Sequence, residues 1–259
     1  QIFAGVGSDE VLGFAFQTFF GGDKPILFPE LTYSFYPVWA ELFGISFRKV
    51  PLKEGFRISP EDYQAPNGGI IFPNPNAPTG VLEPLQVIRQ ILTDNPESLV
   101  IIDEAYIDFS GDRKDSALSL LPEYENLLVV QTFSKSRALA GMRIGMAFGR
   151  EEIIRALSDI KYSFNSYTLS RAAICCGAAA LQDEAYYSGI IGKVISAREE
   201  AKKRLGSLGF SFPDSRANFL FVRPPRGNAE NLFLALKEKG IYVRYFKGSL
   251  TEEYLRITI

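Results

Sequence analysis

Short apolar runs recur through about the first 160 residues, and polar loops and segments of helical character separate them. The runs lie at 26–28, 69–72, 99–102, 127–130 and 144–148, and a further strand is expected at 45–50. The run at 99–102 consists of consecutive large apolar residues, which is typical of a central parallel strand buried on both faces. Strands that alternate with helices predict a mostly parallel sheet with helices packed on both faces. Ligands bind such sheets at the carboxyl ends of the strands, so the loops at those ends carry the functional predictions.

A change of pattern after residue 166 predicts a second, smaller unit. Segment 167–205 is largely helical, with Gly177, Gly189 and Gly192 as expected breaks. It is followed by strand-like segments at 210–212, 218–222, 241–244 and 254–259 and a helix near 229–237. We therefore expect an α/β fold with a large domain at 1–166, a helical connection at 167–206 and a small α+β domain at 207–259. Both ends of the chain are abrupt, so we expect the interior of a longer protein and an incomplete small domain.

The composition excludes several kinds of chemistry. The chain contains no histidine, which rules out Ser-His-Asp catalysis, Cys-His catalysis and histidine-ligated zinc. Its two cysteines, Cys175 and Cys176, are adjacent and lack the spacing of a disulfide framework or a metal site. A net charge of −2 predicts no nucleic-acid or membrane partner, and no apolar run is long enough to cross a bilayer. We expect a reducing, cytoplasmic setting, and the chemistry must rest on lysine, aspartate, tyrosine, arginine or a cofactor.

The loop after the run at 127–130 contains a candidate nucleophile, Lys135. A lysine that is partly desolvated at the mouth of a sheet can act as an amine nucleophile. Thr132 and Ser134 flank it with hydroxyl groups, and Arg143 adds a fixed positive charge. This combination suits a phosphorylated aldehyde that is held covalently through its carbonyl and electrostatically through its phosphate. The alternative is an ordinary solvated surface loop.

Two earlier loops carry candidate binding residues. Ser8 and Asp9 precede an apolar helix predicted at 11–20, where they could cap the N-terminus or bind a phosphate there. Tyr33 follows the run at 26–28 and precedes a helix predicted at 35–43. Its ring could lie on the face of a flat heterocycle, or it could be a core tyrosine.

A rigid loop follows the run at 69–72. It contains three prolines, and Asn76 is held between two of them. A generic loop does not need an asparagine in such a position. We therefore predict that Asn76 is a ligand residue at the same sheet edge as Lys135, rather than a plain turn residue.

Asp103 ends the central run at 99–102. A carboxylate at the end of a buried strand is costly unless a cation pairs with it, and a protonated pyridine nitrogen is such a cation. Tyr106, three residues later, could donate a hydrogen bond to a phenolate oxygen of the same ring. The alternatives are a Mg²⁺-binding or helix-capping aspartate, although no Gly-x-x-x-x-Gly-Lys-Ser/Thr motif is present to complete an ATPase.

Taken together, these motifs resemble the fold-type-I pyridoxal-phosphate-dependent aminotransferases, from residue 5 to the last residue. Within that group they look most like the histidinol-phosphate aminotransferases. The resemblance is carried by 74–80 (NPNAPTG), 103–109 (DEAYIDF), Phe133-Ser134-Lys135 with 139–145 (LAGMRIG), 217–219 (ANF) and 255–258 (LRIT). The N-terminal arm and the C-terminal helix of the family are not in this sequence.

The resemblance implies a role for each candidate residue around pyridoxal 5'-phosphate. Lys135 would bind the cofactor covalently and then move the α-proton of the substrate, and Asp103 would pair with the pyridinium. Tyr33 would stack on the ring, and Asn76 and Tyr106 would hydrogen-bond its phenolate oxygen. The phosphate would be held by the backbone N–H groups of Ser8 and Asp9 and by Thr132, Ser134 and Arg143. Arg256 would grip the carboxylate or phosphate of the substrate, and Arg244 would be a second anion-binding arginine; each could instead be a salt-bridged edge-strand residue.

The resemblance also implies an activity and partners. We expect an enzyme that exchanges an amino group between glutamate and imidazole-acetol phosphate, giving histidinol phosphate and 2-oxoglutarate, and that works as a homodimer. Threonine-phosphate decarboxylation and aromatic amino-group transfer on the same scaffold remain alternatives. A non-catalytic domain of the same fold is a third.

Overall fold

The computed structural model describes residues 1–225 and 227–259, and two β-sheets are present within them. The strands are β1 (Ile2–Val6), β2 (Ile26–Pro29), β3 (Phe47–Val50), β4 (Gly69–Pro73), β5 (Val100–Asp103), β6 (Leu127–Thr132), β7 (Ile144–Phe148), β8 (Phe219–Val222), β9 (Arg244–Tyr245) and β10 (Leu255–Thr258). The helices are α1 (Gly7–Phe19), α2 (Phe35–Leu42), α3 (Leu85–Asp94), α4 (Glu151–Phe164), α5 (Arg171–Gln182), α6 (Glu184–Ser207) and α7 (Ala229–Glu238).

The first seven strands form one sheet in the order β1-β7-β6-β5-β4-β2-β3. Strands β3, β2, β4, β5 and β6 are parallel to one another, and β7 pairs antiparallel with both β6 and β1. Only β7 therefore runs against the common direction. The mostly parallel α/β sheet expected from the sequence is confirmed.

The register of the central strands brings their polar ends together. Pro73 of β4 is paired with Asp103 of β5, and Asp103 is paired with Val130 of β6. Further along β6, Thr132 is paired with Gly145 of β7. The loops that carry Asn76, Tyr106 and Lys135 consequently leave the sheet at one edge.

Alternating side chains on the central strands build two separate cores. Ile71, Ile101 and Val130 pack with α1, α2 and α4 on one face, and Ile70 and Ile102 pack with α3 on the other. All of these strand residues are fully buried. A strand buried on both faces has no polar positions in its interior, so its polar residues are found only where it ends.

The second sheet has the order β8-β10-β9, and all its pairs are antiparallel. Its β8 end contacts the loops that follow β4 and β5, because Phe219 clusters with Ala77 and Tyr106. The buried guanidinium of Arg198 on α6 strengthens this junction by donating to the carbonyl oxygens of Phe109 at 2.7 Å and Ala217 at 3.1 Å. The small sheet is thereby held next to the loop that carries Tyr106. The domain limits at 166 and 206 stay a prediction.

Several local predictions were wrong. Neither Ser8 nor Asp9 caps α1: the helix begins at Gly7, Val6 is its N-cap residue, and no side chain bonds to that cap. The backbone N–H of Val6 instead donates to Glu10 at 2.6 Å, since a glutamate in the first turn can reach back.

The expected glycine breaks were wrong as well. Gly177 lies inside α5, and Gly189 and Gly192 lie inside α6. The break falls at Asp183, whose side chain caps α6. A single glycine costs a helix only about 1 kcal/mol and does not end it when packing favours the helix.

In the small sheet, the strand predicted at 210–212 is a single bridge between Ser211 and Arg223. The strand predicted at 241–244 is displaced to Arg244–Tyr245. No helix among the described residues has the length and apolar character needed to span a membrane.

Candidate active site

A cavity of about 140 Å³ lies at the edge of the large sheet where β4, β5 and β6 end. Nine of the twelve residues predicted from the sequence line it: Ser8, Asp9, Tyr33, Asp103, Tyr106, Thr132, Ser134, Lys135 and Arg143. Three larger clefts, of about 480 to 820 Å³, are lined by none of the twelve. Most of the candidate residues therefore lie around the small cavity. Asn76, Arg244 and Arg256 are not among its lining residues.

Lys135 stands on the loop that follows β6. Its Nζ lies 5.5 Å from the centroid of the Tyr106 ring, which is within cation–π range. The residue as a whole is exposed, so the structure does not desolvate its amine as the sequence argument expected. The reason is that the loop projects beyond the last pair of β6, Thr132 with Gly145. Its amine is thus available at the mouth of the cavity.

Two glycines allow α1 to approach Arg143. Gly7, the first residue of α1, has a φ of 78°, and a Cβ there would lie 2.5 Å from Nη2 of Arg143. A Cβ on Gly145 would lie 2.4 Å from the backbone nitrogen of Ser8. At Gly145 a side chain would clash with the backbone of α1 and push the helix away, and at Gly7 the positive φ favours glycine while a side chain would displace the Arg143 guanidinium. The result is an uncapped helix N-terminus and a guanidinium side by side, which is a favourable arrangement for an anion.

The hydroxyl groups of Thr132 and Ser134 complete this side of the cavity. Thr132 is buried, and its Oγ1 lies 3.0 Å from both the Ser134 hydroxyl and the Ile144 carbonyl oxygen. The backbone N–H of Ser134 donates to the same Oγ1 at 3.1 Å. This turn fixes both hydroxyls beside Lys135.

The carboxylate of Asp9 links two of the predicted residues. It accepts a hydrogen bond from the Tyr33 hydroxyl at 2.9 Å and pairs with Nη2 of Arg143 at 3.2 Å. Both partners of the ion pair are about half exposed, so it adds little to stability. Burial and Asp9 together raise the pKa of Tyr33 well above its usual range, so the Tyr33 hydroxyl stays protonated. The sequence predicted only the backbone of Asp9 as functional, and its side chain was missed.

Asp103 is the buried carboxylate of the cavity. Its side chain accepts from the Tyr36 hydroxyl at 3.0 Å and from the Ala105 backbone N–H at 3.2 Å. Burial raises its pKa to about 6, and these two hydrogen bonds oppose that rise. Asp103 is therefore a carboxylate whose charge is only partly compensated by the protein.

The neighbouring Glu104 is also buried but points to a different set of partners. Its carboxylate accepts from the Ser116 hydroxyl at 2.7 Å, the Gln131 amide at 2.8 Å and the Ala117 backbone N–H at 2.6 Å. Burial raises its pKa to about 7 against these three bonds. Glu104 does not line the cavity and serves to fasten the segment after β5 to β6.

Asn76 lies next to the cavity, one residue before the lining residue Ala77. Its amide nitrogen donates to the carbonyl oxygen of Leu31 at 3.0 Å and to Thr79 Oγ1 at 3.1 Å. Its buried amide oxygen has no partner. Donation from Asn76 to a cofactor oxygen requires the amide nitrogen to release one of these partners, and that role stays a prediction.

Arg256 reaches the cavity only through aromatic rings. Its guanidinium carbon lies 5.1 Å from the Phe219 ring, and Phe219 meets the Tyr106 ring edge-on at 5.1 Å. The buried Nε of Arg256 has no hydrogen-bond partner among the residues that the structure describes. Burial lowers the pKa of Arg256, and the positive charge of Arg244 acts in the same direction.

Arg244 is the cross-strand partner of Arg256. Phe246 contacts both guanidiniums, at 5.4 and 5.5 Å. Like charges directly opposite each other on a sheet are unfavourable, so an anion bound between Arg244 and Arg256 would relieve their repulsion.

The sequence matches the model of the aminotransferase class I and II family over residues 1–259. The chain belongs to this family. Among curated relatives, histidinol-phosphate aminotransferase 1 of Pseudomonas aeruginosa is 52% identical over 259 residues, which are 100% of this chain and 73% of that protein. The histidinol-phosphate aminotransferase of Brachyspira hyodysenteriae is 50% identical, with the same shares covered.

Solved structures agree with the fold of this class I and II aminotransferase. The histidinol-phosphate aminotransferase from Clostridium acetobutylicum has a TM-score of 0.90 at 24% identity, covering 100% of this chain and 78% of that chain. The one from Sinorhizobium meliloti, in complex with pyridoxal-5'-phosphate, has a TM-score of 0.88 at 21% identity, covering 99% and 71%. At these identities the likeness establishes the fold alone.

Sequence reasoning on this aminotransferase missed Tyr36, which supports Asp103, and the two phenylalanines beside Arg256. Tyr36 had no local signal, because Tyr33 lies outside α2 and Tyr36 itself has the pattern of a core tyrosine on an apolar helical face. The role of Phe219 depends on how the small sheet packs against Tyr106, and that of Phe246 depends on its position next to Arg244 and Arg256. No cluster of three or more histidine, cysteine, aspartate or glutamate residues within residues 1–225 and 227–259 could hold a metal ion.

Proposed function

We propose that this protein is a pyridoxal-phosphate-dependent transaminase that transfers an amino group between glutamate and imidazole-acetol phosphate, giving histidinol phosphate in histidine biosynthesis. The observation that supports the substrate best is 52% identity to a histidinol-phosphate aminotransferase along the entire chain. The chemistry is supported by the cavity, which brings Lys135 and Asp103 together.

The residues of the cavity fit pyridoxal 5'-phosphate. A phosphate would be held by the open N-terminus of α1, Arg143 and the hydroxyls of Thr132 and Ser134, where a Cβ on Gly7 or Gly145 would intrude. A protonated ring nitrogen would provide the missing cation for Asp103. An aldehyde would meet the amine of Lys135. The donors and acceptors thus match the three polar groups of the cofactor.

Each residue then has a definite task. Pyridoxal 5'-phosphate, when bound, supplies an electron-withdrawing ring that stabilises negative charge at the α-carbon of the substrate. Lys135 would hold the cofactor through Nζ and, once free, would carry a proton to and from that α-carbon. Asp103 would keep the ring nitrogen protonated. Tyr33 would lie against the ring, and Tyr106 and Asn76 would orient it.

Substrate recognition falls to the small sheet. Arg256 has an unpaired Nε and faces a second guanidinium, Arg244, so both are suited to a carboxylate or a phosphate. A site that must accept glutamate and a phosphate monoester in turn needs such a flexible anion receptor. In the cell we expect a cytoplasmic homodimer, as the resemblance implies.

Absorption spectroscopy of the purified protein tests the proposal. Addition of histidinol phosphate without a keto acid should convert the visible band of the lysine-bound cofactor to that of its amine form. Lys135→Ala should abolish the change, whereas Lys193→Ala, an exposed lysine on α6 outside the cavity, should leave it intact.

The substrate assignment fails if the band ignores histidinol phosphate and responds instead to threonine phosphate or to an aromatic amino acid. The whole proposal fails if no band forms with added cofactor.

A further inference from the structure

Tyr36 and Asp103 form a hydrogen bond deep inside the molecule. The Tyr36 hydroxyl donates to Oδ2 of Asp103 at 3.0 Å, and the two residues are 0% and 5% exposed. Tyr36 lies on α2 and Asp103 ends β5, so the bond joins a helix to the strand that it covers. Tyr36 is not among the residues that line the cavity.

Packing fixes the position of the Tyr36 ring. The rings of Phe16, Phe28, Tyr33 and Trp39 surround it with centroid distances of 5.7 to 6.3 Å. A side chain held in this way cannot swing its hydroxyl to another acceptor. Burial raises the pKa of Tyr36 well above its ordinary value and the charge of Asp103 raises it further, so the hydroxyl remains protonated and acts as the donor.

Asp103 has few other groups to stabilise its charge. The Ala105 backbone N–H donates to Oδ1, Lys135 attracts the carboxylate, and Asp9 repels it. Burial is the dominant influence and favours the neutral acid. Of the groups that favour the carboxylate, the Tyr36 hydroxyl has the largest effect.

We propose that Tyr36 is a positioning residue that keeps Asp103 ionised and fixed in orientation before the cofactor binds. With Oδ2 held by Tyr36 and Oδ1 by Ala105, the carboxylate cannot rotate and is ready to pair with a protonated ring nitrogen. This inference rests on the proposed function, because it assumes that Asp103 meets a cationic ring. It adds a residue that touches neither cofactor nor substrate.

The test is the dissociation constant of pyridoxal 5'-phosphate for the wild type and Tyr36→Phe, measured from pH 6.5 to pH 9 by titration of the apoenzyme. A hydrogen bond to a charged group favours the charged form by roughly tenfold or more. Without the hydrogen bond from Tyr36, Asp103 is protonated in the apoenzyme near neutral pH and must lose that proton before it can pair with the ring nitrogen. We expect Tyr36→Phe to bind about five- to tenfold more weakly at pH 6.5 and less than twofold more weakly at pH 9.

The ratio of the two constants separates this role from a purely structural one. The other charged groups that face Asp103, which are Lys135, Asp9 and the bound cofactor, are the same in both proteins. A packing defect would weaken binding by the same factor at every pH. Tyr63→Phe is the matched control, because Tyr63 is also fully buried but its hydroxyl has no partner. It should give a ratio close to one throughout.

A ratio for Tyr36→Phe that does not change with pH overturns the proposal. If Tyr36→Phe does not fold, 3-fluorotyrosine at position 36 provides a second test, because its more acidic hydroxyl is a stronger donor and should tighten binding at pH 6.5; unchanged or weaker binding would contradict the inference. A wild type that binds no cofactor at any pH would instead refute the proposed function.

Discussion

Replacement of Asp103 by asparagine should stabilise the folded apoenzyme while it removes function. In the absence of the cofactor, Asp103 is a buried carboxylate that makes no hydrogen bond to a cationic side chain within residues 1–225 and 227–259. Its pKa is about 6 in the folded chain, against an ordinary value of 3.8. The folded state therefore holds the proton more tightly than the unfolded state, and the free energy of unfolding falls as the pH rises from about 4 to about 6.

The difference in pKa corresponds to about 3 kcal/mol of lost stability at pH 7.5. Asparagine removes this cost. It also leaves one of the two donors, the Tyr36 hydroxyl or the Ala105 N–H, without a good acceptor, which costs about 1–2 kcal/mol. The net gain for Asp103→Asn is then about 1–2 kcal/mol, or roughly 2–4 °C in melting temperature for a chain of this size.

Thermal unfolding of the cofactor-free proteins at pH 7.5 and pH 4.5 measures the effect. At pH 4.5 the cost of the charge shrinks to about 1 kcal/mol, so the advantage of Asp103→Asn should vanish. The exposed Asp159 on α4 provides the control, since Asp159→Asn should change neither melting temperature. A loss of stability in Asp103→Asn at pH 7.5, or an equal gain at both pH values, would refute the reasoning.

Three further changes test other parts of the site. Arg143→Lys keeps the charge but loses the planar fork, so the affinity for pyridoxal 5'-phosphate measured by fluorescence titration should fall about tenfold; an unchanged affinity would exclude Arg143 from the phosphate site. Phe219→Leu removes the ring between Arg256 and Tyr106, and the KM for glutamate should rise about fivefold with little change in kcat; an equal fall in kcat would point to a catalytic role. Gly145→Ala should force the N-terminus of α1 away and lower the melting temperature by about 4 °C. An unchanged melting temperature would show that α1 tolerates the methyl group.

The large sheet was predictable because its strands are buried on both faces. Apolar runs at 26–28, 69–72 and 144–148 correspond closely to β2, β4 and β7. The sequence could not show that β7 runs antiparallel, because its composition is the same in either direction. The small sheet was harder to predict, since two of its strands, β9 and β10, are short and only partly buried.

Nine site residues were found because they follow strand ends, where a polar residue after an apolar run is conspicuous. Their partners were not found by the same logic. Tyr36 lies in the middle of an apolar helical face, and its pattern is that of any core tyrosine. Phe219 and Arg256 lie on neighbouring strands of the small sheet, and their contact depends on a strand pairing that no local pattern encodes.

Asp103 and Glu104 show why burial alone does not identify a functional residue. They are consecutive, both are buried, and burial raises the pKa of both. Their side chains differ in what they meet, because consecutive residues of an extended chain point to opposite faces. Glu104 finds three donors and is satisfied within the protein. Asp103 accepts hydrogen bonds from two donors and lines the cavity, so its charge is only partly compensated. This incomplete compensation identifies it as a candidate binding residue for a cation.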